Sequence, residues 1–299
     1  DRWWGSDRYG TAVAVSQAGF PSGASTVYIA TGQNFPDALA AAPLAVNEPG
    51  PVLLVRRDSI PSQTIVEIQR LNPDRVVVLG GTAAVSASVA DELTTYGQVE
   101  RIAGADRYAT AAEIARVAFG SSAETVFVAV GTSFPDAVAA APVAAGDSAP
   151  ILLVQHNSIP AATRAVLRDM RPKKIVVVGG GTSVSSSVVS ALGQFASDTV
   201  VSIAGSDRYE TSALLAAYAH PGGAASVFVA TGTAFPDALT AGAVAGAKHA
   251  PIVLVRQNSL PGSVSAELLD LDPRYVTVLG GTAAVSNTVS QSLMDLLGD

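Results

Sequence analysis

Three ionisable positions recur along this 299-residue chain at constant spacing, and chemistry could reside in them. Asp7, Asp106 and Asp207 form one set, Arg8, Arg107 and Arg208 a second, and Asp37, Asp136 and Asp237 a third. The first two sets share the motif Gly-x-Asp-Arg-Tyr-x-Thr, which opens at Gly5, Gly104 and Gly205. The third sits in Phe-Pro-Asp-Ala, at Phe35, Phe134 and Phe235. A guanidinium can grip a phosphate or carboxylate through paired N–H donors, and a carboxylate can accept ligand hydroxyls. Both acid sets also stand where a helix N-terminus favours a negative charge. The arginine could equally serve a carboxylate or a backbone carbonyl at a junction between units. Structural and ligand-binding readings therefore stay open for all three sets.

Other chemistries find less support. Cysteine is absent, which excludes disulfides, thiol catalysis and thiolate-held zinc. Histidine does not recur: His156 aligns with Arg57 and Gln257, and His220 and His249 have no counterparts. A histidine acid, base or metal ligand in every unit is thereby excluded, and no catalytic residue, metal site or cofactor is expected. Gly80-Gly81-Thr82, Gly179-Gly180-Gly181 and Gly280-Gly281-Thr282 each separate a strand from a helix, a suitable place for an anion. They lack the spacing of a phosphate-binding loop, so turn geometry explains them better than a nucleotide does. Trp3 and Trp4 replace the Ile-Ala found at Ile102-Ala103 and Ile203-Ala204, either as a sugar-stacking platform or as a variant at an edge.

The elements that must position these residues repeat with them. Every motif recurs first after 99 and then after 101 residues, as do Pro51, Pro150, Pro251 and Val85, Val184, Val285. Such a period is too long for a solenoid, whose repeats run about 20–50 residues. We expect three tandem domains of one fold, over residues 1–98, 99–199 and 200–299, each large enough to bury its own core. In the middle unit, residues 99–104 read as a strand, and Asp106 should cap a helix from Arg107 to about Phe119. Residues 125–129 read as a β-branched strand, and Pro135 fits the first turn of a helix running to Ala145. A strand over 150–154, a helix to Met170, a strand over 174–178 and a helix capped by Ser185 and running to about Phe195 complete the unit. The strands are continuously apolar, as in sheets covered by helices on both faces. The fold class is therefore α/β with mostly parallel sheets.

Composition narrows the function classes. Hydrophobic residues make up 48% and charged residues only 14%, so large cores are available and disorder is disfavoured. A net charge of -7 argues against nucleic acid as a partner. No apolar run reaches the roughly 20 residues of a membrane span. Asp1 falls inside the repeat pattern, which suggests a cut with a signal peptide and further domains removed.

Taken together, Gly-x-Asp-Arg-Tyr-x-Thr, Phe-Pro-Asp-Ala, Pro-[Val/Ile]-Leu-Leu-Val and the strand followed by Gly-Gly-x-x-x-Val-Ser resemble the cell wall-binding repeat type 2 family of clostridial and actinobacterial surface proteins. The resemblance covers the whole chain in three copies. It implies Toprim-like or Rossmann-like units in a pseudo-threefold arrangement. It also implies a secreted protein at the cell wall, held noncovalently to an anionic wall polysaccharide or teichoic-type polymer. The family's aliphatic anchoring motif maps to Val52-Leu53-Leu54, Ile151-Leu152-Leu153 and Ile252-Val253-Leu254, of which only the middle copy is literal. Those residues read as buried strand, so we expect them to shape a polymer groove without touching the polymer. Arg8, Arg107 and Arg208, with nearby helix N-termini, are the expected polymer contacts, and Asp37, Asp136 and Asp237 secondary ones. The alternatives are an amidase-type wall hydrolase and a surface-layer or adhesin spacer that binds no polymer.

Overall fold

Short β-branched strands alternating with alanine-rich helices build three similar α/β units. The structure, a computed structural model, describes residues 1–33 and 39–298. The first unit comprises β1 (Arg2–Trp3), α1 (Arg8–Gly19), β2 (Thr26–Thr31), α2 (Ala41–Asn47), β3 (Val52–Val55), α3 (Ser62–Leu71), β4 (Arg75–Leu79) and α4 (Ala87–Leu93). The second repeats the order with β5 (Gln98–Ile102), α5 (Arg107–Phe119), β6 (Thr125–Val130), α6 (Pro135–Gly146), β7 (Ile151–Val154), α7 (Ala161–Met170), β8 (Lys174–Val178) and α8 (Ser186–Leu192). The third has β9 (Thr199–Ile203), α9 (Arg208–Ala219), β10 (Ser226–Thr231), α10 (Pro236–Ala247), β11 (Ile252–Val255), α11 (Gly262–Leu271), β12 (Tyr275–Leu279) and α12 (Asn287–Leu297).

The fold is α/β with three four-stranded parallel sheets, as the apolar strands imply. Each sheet borrows its outer strand from the next sequence repeat. The first runs β3-β2-β4-β5 and the second β7-β6-β8-β9. In the third, β1-β12-β10-β11, the first strand of the chain closes the ring, pairing Arg2 with Val278 and Trp3 with Leu279. Arg2 fastens this closure, donating from Nη1 to the Gly280 and Val285 carbonyls (2.8 and 2.9 Å) and from Nη2 to Ser290 Oγ (2.7 Å). Trp3 continues it inward, meeting Phe228 edge-on at 5.3 Å between ring centroids.

At the centre, α2, α6 and α10 pack against one another. A helix that is apolar all round belongs in the middle of a structure, and α6 is buried continuously from Pro135 to Ala145. Small side chains permit the close approach. A Cβ on Gly242 would lie 3.1 Å from that of Ala42 and 3.3 Å from that of Ala141, the aligned residues of the other two units. The expectation that each unit buries its own core holds only for the outer faces. Separate clusters line the outer side of the first and second sheets, while the inner cluster runs through all three units. Around the bundle, α5 packs on α2, α9 on α6 and α1 on α10, so each unit's first helix leans on the preceding unit's central helix.

One local expectation needs correction. Ser185 does not cap α8 through its side chain; its Oγ lies 2.9 Å from Ser187 Oγ, and the helix ends at Leu192, with Gly193 as its C-cap, before reaching Phe195. Pro142 lies inside α6, which runs on to Gly146.

Candidate functional site: clefts between successive units

The Gly-x-Asp-Arg-Tyr-x-Thr segment builds one wall of each cleft. Asp7, Asp106 and Asp207 cap α1, α5 and α9, with Oδ1 accepting from Gly10 N (2.8 Å), Ala109 N (2.8 Å) and Glu210 N (2.9 Å). The Thr11, Thr110 and Thr211 hydroxyls accept from the N–H of Gly5, Gly104 and Gly205 at 3.2, 3.1 and 3.0 Å. The glycine is required because the chain passes so close to the helix: a Cβ on Gly104 would fall 2.4 Å from the Ala109 carbonyl carbon. The arginine folds back over its own unit. Arg107 and Arg208 donate from Nη1 to the strand-end carbonyls of Gly131 and Gly232, both at 2.6 Å, and Arg8 donates likewise to Gly32. Five N–H donors belong to each guanidinium, and Arg8 and Arg208 are exposed while Arg107 is half-buried.

The preceding unit supplies the opposite wall. Between the second and third units lies a cleft of about 180 Å³, lined by Asp136, Gly180, Thr182 and Ser183 on one side and Ser206, Asp207, Arg208 and Thr211 on the other. Between the third and first lies its counterpart of about 330 Å³, lined by Asp237, Gly281 and Thr282 facing Ser6, Asp7, Arg8 and Thr11. Trp4, 57% exposed, lines this second cleft, while Trp3 is partly buried against the core. Asp37, with its Phe35-Pro36-Asp37-Ala38 motif, lies outside the described residues.

Each described cleft sets a carboxylate at its base against a guanidinium from the neighbouring unit. Asp136 is only 8% exposed and accepts from Ser183 Oγ at 3.1 Å. Burial pushes its carboxyl above the usual carboxylate range, opposed by the Ser183 bond and by the charge of Arg208. Burial raises Asp237 too, opposed by a hydrogen bond from Thr11 and by the charge of Arg8. The glycine turns make room for these carboxylates. Gly179 (φ +105°) and Gly280 (φ +89°) adopt backbone that L side chains avoid, and a Cβ would lie 2.4 and 2.3 Å from Oδ2 of Asp136 and Asp237. Asp7, Asp106 and Asp207 thus occupy the N-termini of α1, α5 and α9 as caps.

The aliphatic motifs lie elsewhere. Val52-Leu53-Leu54, Ile151-Leu152-Leu153 and Ile252-Val253-Leu254 form β3, β7 and β11, each residue at most 1% exposed. They sit under the arginine-bearing helices: α1 on β3, α5 on β7 and α9 on β11. Thr64 and Thr163 donate to the Leu54 and Leu153 carbonyls at 3.0 and 2.7 Å, and Leu254 N–H donates to Ser212 of α9 at 2.9 Å.

The pattern of the cell wall binding domain 2 (CWB2) family matches residues 2–90, 101–189 and 202–290. Among curated proteins, the N-acetylmuramoyl-L-alanine amidase LytC of Bacillus subtilis (strain 168) is 33% identical over 290 residues, 97% of this chain and 57% of the relative. The amidase enhancer of the same organism is 32% identical over 295 residues, 99% of this chain and 40% of the relative. The chain thus spans roughly half the length of these relatives. Among solved structures, Cwp6 from Clostridium difficile superposes with a TM-score of 0.92 at 28% identity, covering all of this chain and 48% of that one. Cwp8 from the same organism gives 0.90 at 29% identity, covering 99% and 51%.

Proposed function

Because the chain belongs to the cell wall binding domain 2 family, whose repeats imply a place at the cell surface, we propose that it is the wall-anchoring part of a secreted protein. Its ligand in this reading is an anionic secondary wall polymer, held in the clefts between successive units. One observation carries the reading: motifs far apart in sequence, Gly-x-Asp-Arg-Tyr-x-Thr of one unit and Phe-Pro-Asp-Ala with the glycine turn of the preceding one, meet around a polar cleft, and do so twice among the described residues. Arg8, Arg107 and Arg208 would take the polymer's phosphates or carboxylates, while Asp37, Asp136 and Asp237 would accept its hydroxyls. The clefts are small, so each would hold a short stretch of polymer. Three weak sites on one rigid ring gain strength on a repetitive ligand, because after the first contact the others bind at high effective concentration. The aliphatic strands act indirectly, fixing the helices that carry the arginines.

Hydrolysis, if a longer protein performs it, would belong to segments outside these repeats. A turbidity assay on peptidoglycan with this chain tests that, and clearing would overturn the non-catalytic reading. The anchoring role is tested by replacing Arg8, Arg107 and Arg208 together with Gln, which keeps an N–H for the glycine carbonyl. Wall binding should fall at least tenfold while the melting curve stays cooperative. Undiminished binding, or loss of the fold, would assign the arginines to the scaffold alone.

A further inference from the structure

The three units are not electrostatically equivalent on their outer faces. Five of the chain's 18 lysines and arginines fall within residues 164–174, where Asp169 is the only acid. The aligned stretch of the first unit, 65–75, balances Arg70 and Arg75 against Glu67 and Asp74, and that of the third, 265–275, has Arg274 against three acids. Arg164 and Arg168 lie one turn apart on α7 and line a groove of about 330 Å³ whose other wall is α8 and the turn after it. That wall has changed in the same sense. Ser190 and Ala191 stand where the first unit has Asp91 and Glu92, and Gln194 and Ser187 line the groove with amide and hydroxyl groups.

Ion pairing does not explain the two groove arginines. Like charges four residues apart on a helix are destabilising, and Arg164 and Arg168 form no ion pair among the described residues. Arg164 donates Nε to the Ile159 carbonyl at 2.9 Å, while Asp169 is drawn off towards Arg116 at 3.8 Å. Arg171 caps α7 in the left-handed conformation (φ +46°), where the other units use Asn72 and Asp272, residue types that tolerate it better. Lys173 pairs with Glu124 at 2.6 Å and Lys174 lies over the Tyr218 ring at 4.6 Å, so within a chain of net charge -7 it is Arg164 and Arg168 that bring positive charge without an ion pair to this groove.

We propose that the α7–α8 groove of the second unit is a further binding site, for the charged groups of an anionic wall polymer, with Arg164 and Arg168 as its contacts. It rests on the wall-anchoring reading and gives that reading a direction, since polymer leaving the central ring would be received on one unit only. Arg164 and Arg168, whose Cβ atoms stand about 5–6 Å apart on the helix, grip one phosphate from two sides or two neighbouring anionic groups.

The test compares the wild-type chain with Arg164→Gln/Arg168→Gln, both binding poly(glycerol phosphate) across a salt series, with polygalacturonate, dextran and duplex DNA as comparison probes. The double variant should melt like wild type and bind poly(glycerol phosphate) about tenfold more weakly at low salt. Its slope of log affinity against log salt should be shallower by about 1.4, the share of two single-strand phosphate contacts. Equal affinity and slope would overturn the site. Tighter binding to DNA than to either poly(glycerol phosphate) or polygalacturonate would overturn its assignment to a wall polymer. Sedimentation with walls separates the two levels: wild type bound to walls with an unchanged double variant refutes the groove alone, whereas wild type that fails to bind walls refutes the anchoring reading.

Discussion

Replacing Gly179 with alanine probes the coupling between the glycine turn and the cleft carboxylate. The new Cβ would stand 2.4 Å from Asp136 Oδ2, closer than any ordinary contact, at a backbone φ of +105°. An L side chain in left-handed backbone costs roughly 1–2 kcal/mol. The carboxylate must also turn away and give up its bond from Ser183 Oγ (3.1 Å), and a hydrogen bond to a charged group contributes about 1.5–3 kcal/mol. The lost flexibility of the unfolded chain returns about 0.4–1 kcal/mol, which leaves a net destabilisation of about 2–4 kcal/mol. Urea unfolding measures it. Gly181, with nothing within 4 Å of its built Cβ, supplies the control, and Gly181→Ala should stay within about 0.5 kcal/mol of wild type. In an Asp136→Ala background the Gly179→Ala penalty should shrink to its backbone part, about 1–2 kcal/mol. A cost below about 1 kcal/mol, or an equal cost in both backgrounds, would show that the turn does not exist to seat the carboxylate.

Three further outcomes follow from the same geometry. Because burial raises the folded-state affinity of Asp136 and Asp237 for protons, their contribution to stability is fully present below the unfolded value of about 3.9 and lost as pH rises through their higher folded values. Asp136→Asn should therefore gain stability over wild type as pH rises towards neutrality, read by urea titrations at several pH values; a constant difference would refute the desolvation. Leu152→Ala and Leu153→Ala should each cost about 2–5 kcal/mol while leaving the polymer affinity of the folded fraction unchanged, as circular dichroism and binding at low temperature would show. Arg2→Ala should destabilise ring closure by about 1.5–3 kcal/mol, accelerating hydrogen exchange at Val278 and Gly280, whose amides donate to the Asp1 and Trp3 carbonyls at 2.9 Å. Unchanged exchange there would mean that β1 does not hold the third sheet.

Much of the fold is legible because local chemistry decides it. Asp106 caps a helix over Arg107–Phe119, and the unbroken apolar runs of β6 and β8 demand cover on both faces, which makes the sheets parallel. The burial of the aliphatic motif follows from the same runs. What periodicity does not reveal is the partner across a unit boundary. Nothing local to Val99–Ile102 tells whether that strand pairs within its own repeat or with β4, as it does. For the same reason the three recurrent sets read as three positions within a unit, whereas Asp136 faces Arg208, 72 residues away and in the next unit. One signal was available: both Asp and Arg sit beside glycine turns at strand ends, where α/β sheets gather ligands. Trp4 and Arg8 are neighbours in sequence, and only the closure of the ring brings them to Asp237.

The claim that this ring holds an anionic wall polymer meets its most direct test in sedimentation with purified Gram-positive walls, before and after acid stripping of their secondary polymers. The account predicts that the chain pellets with intact walls, is displaced by salt, and stays in the supernatant with stripped peptidoglycan. Equal pelleting with stripped walls, or none with intact ones, would contradict it.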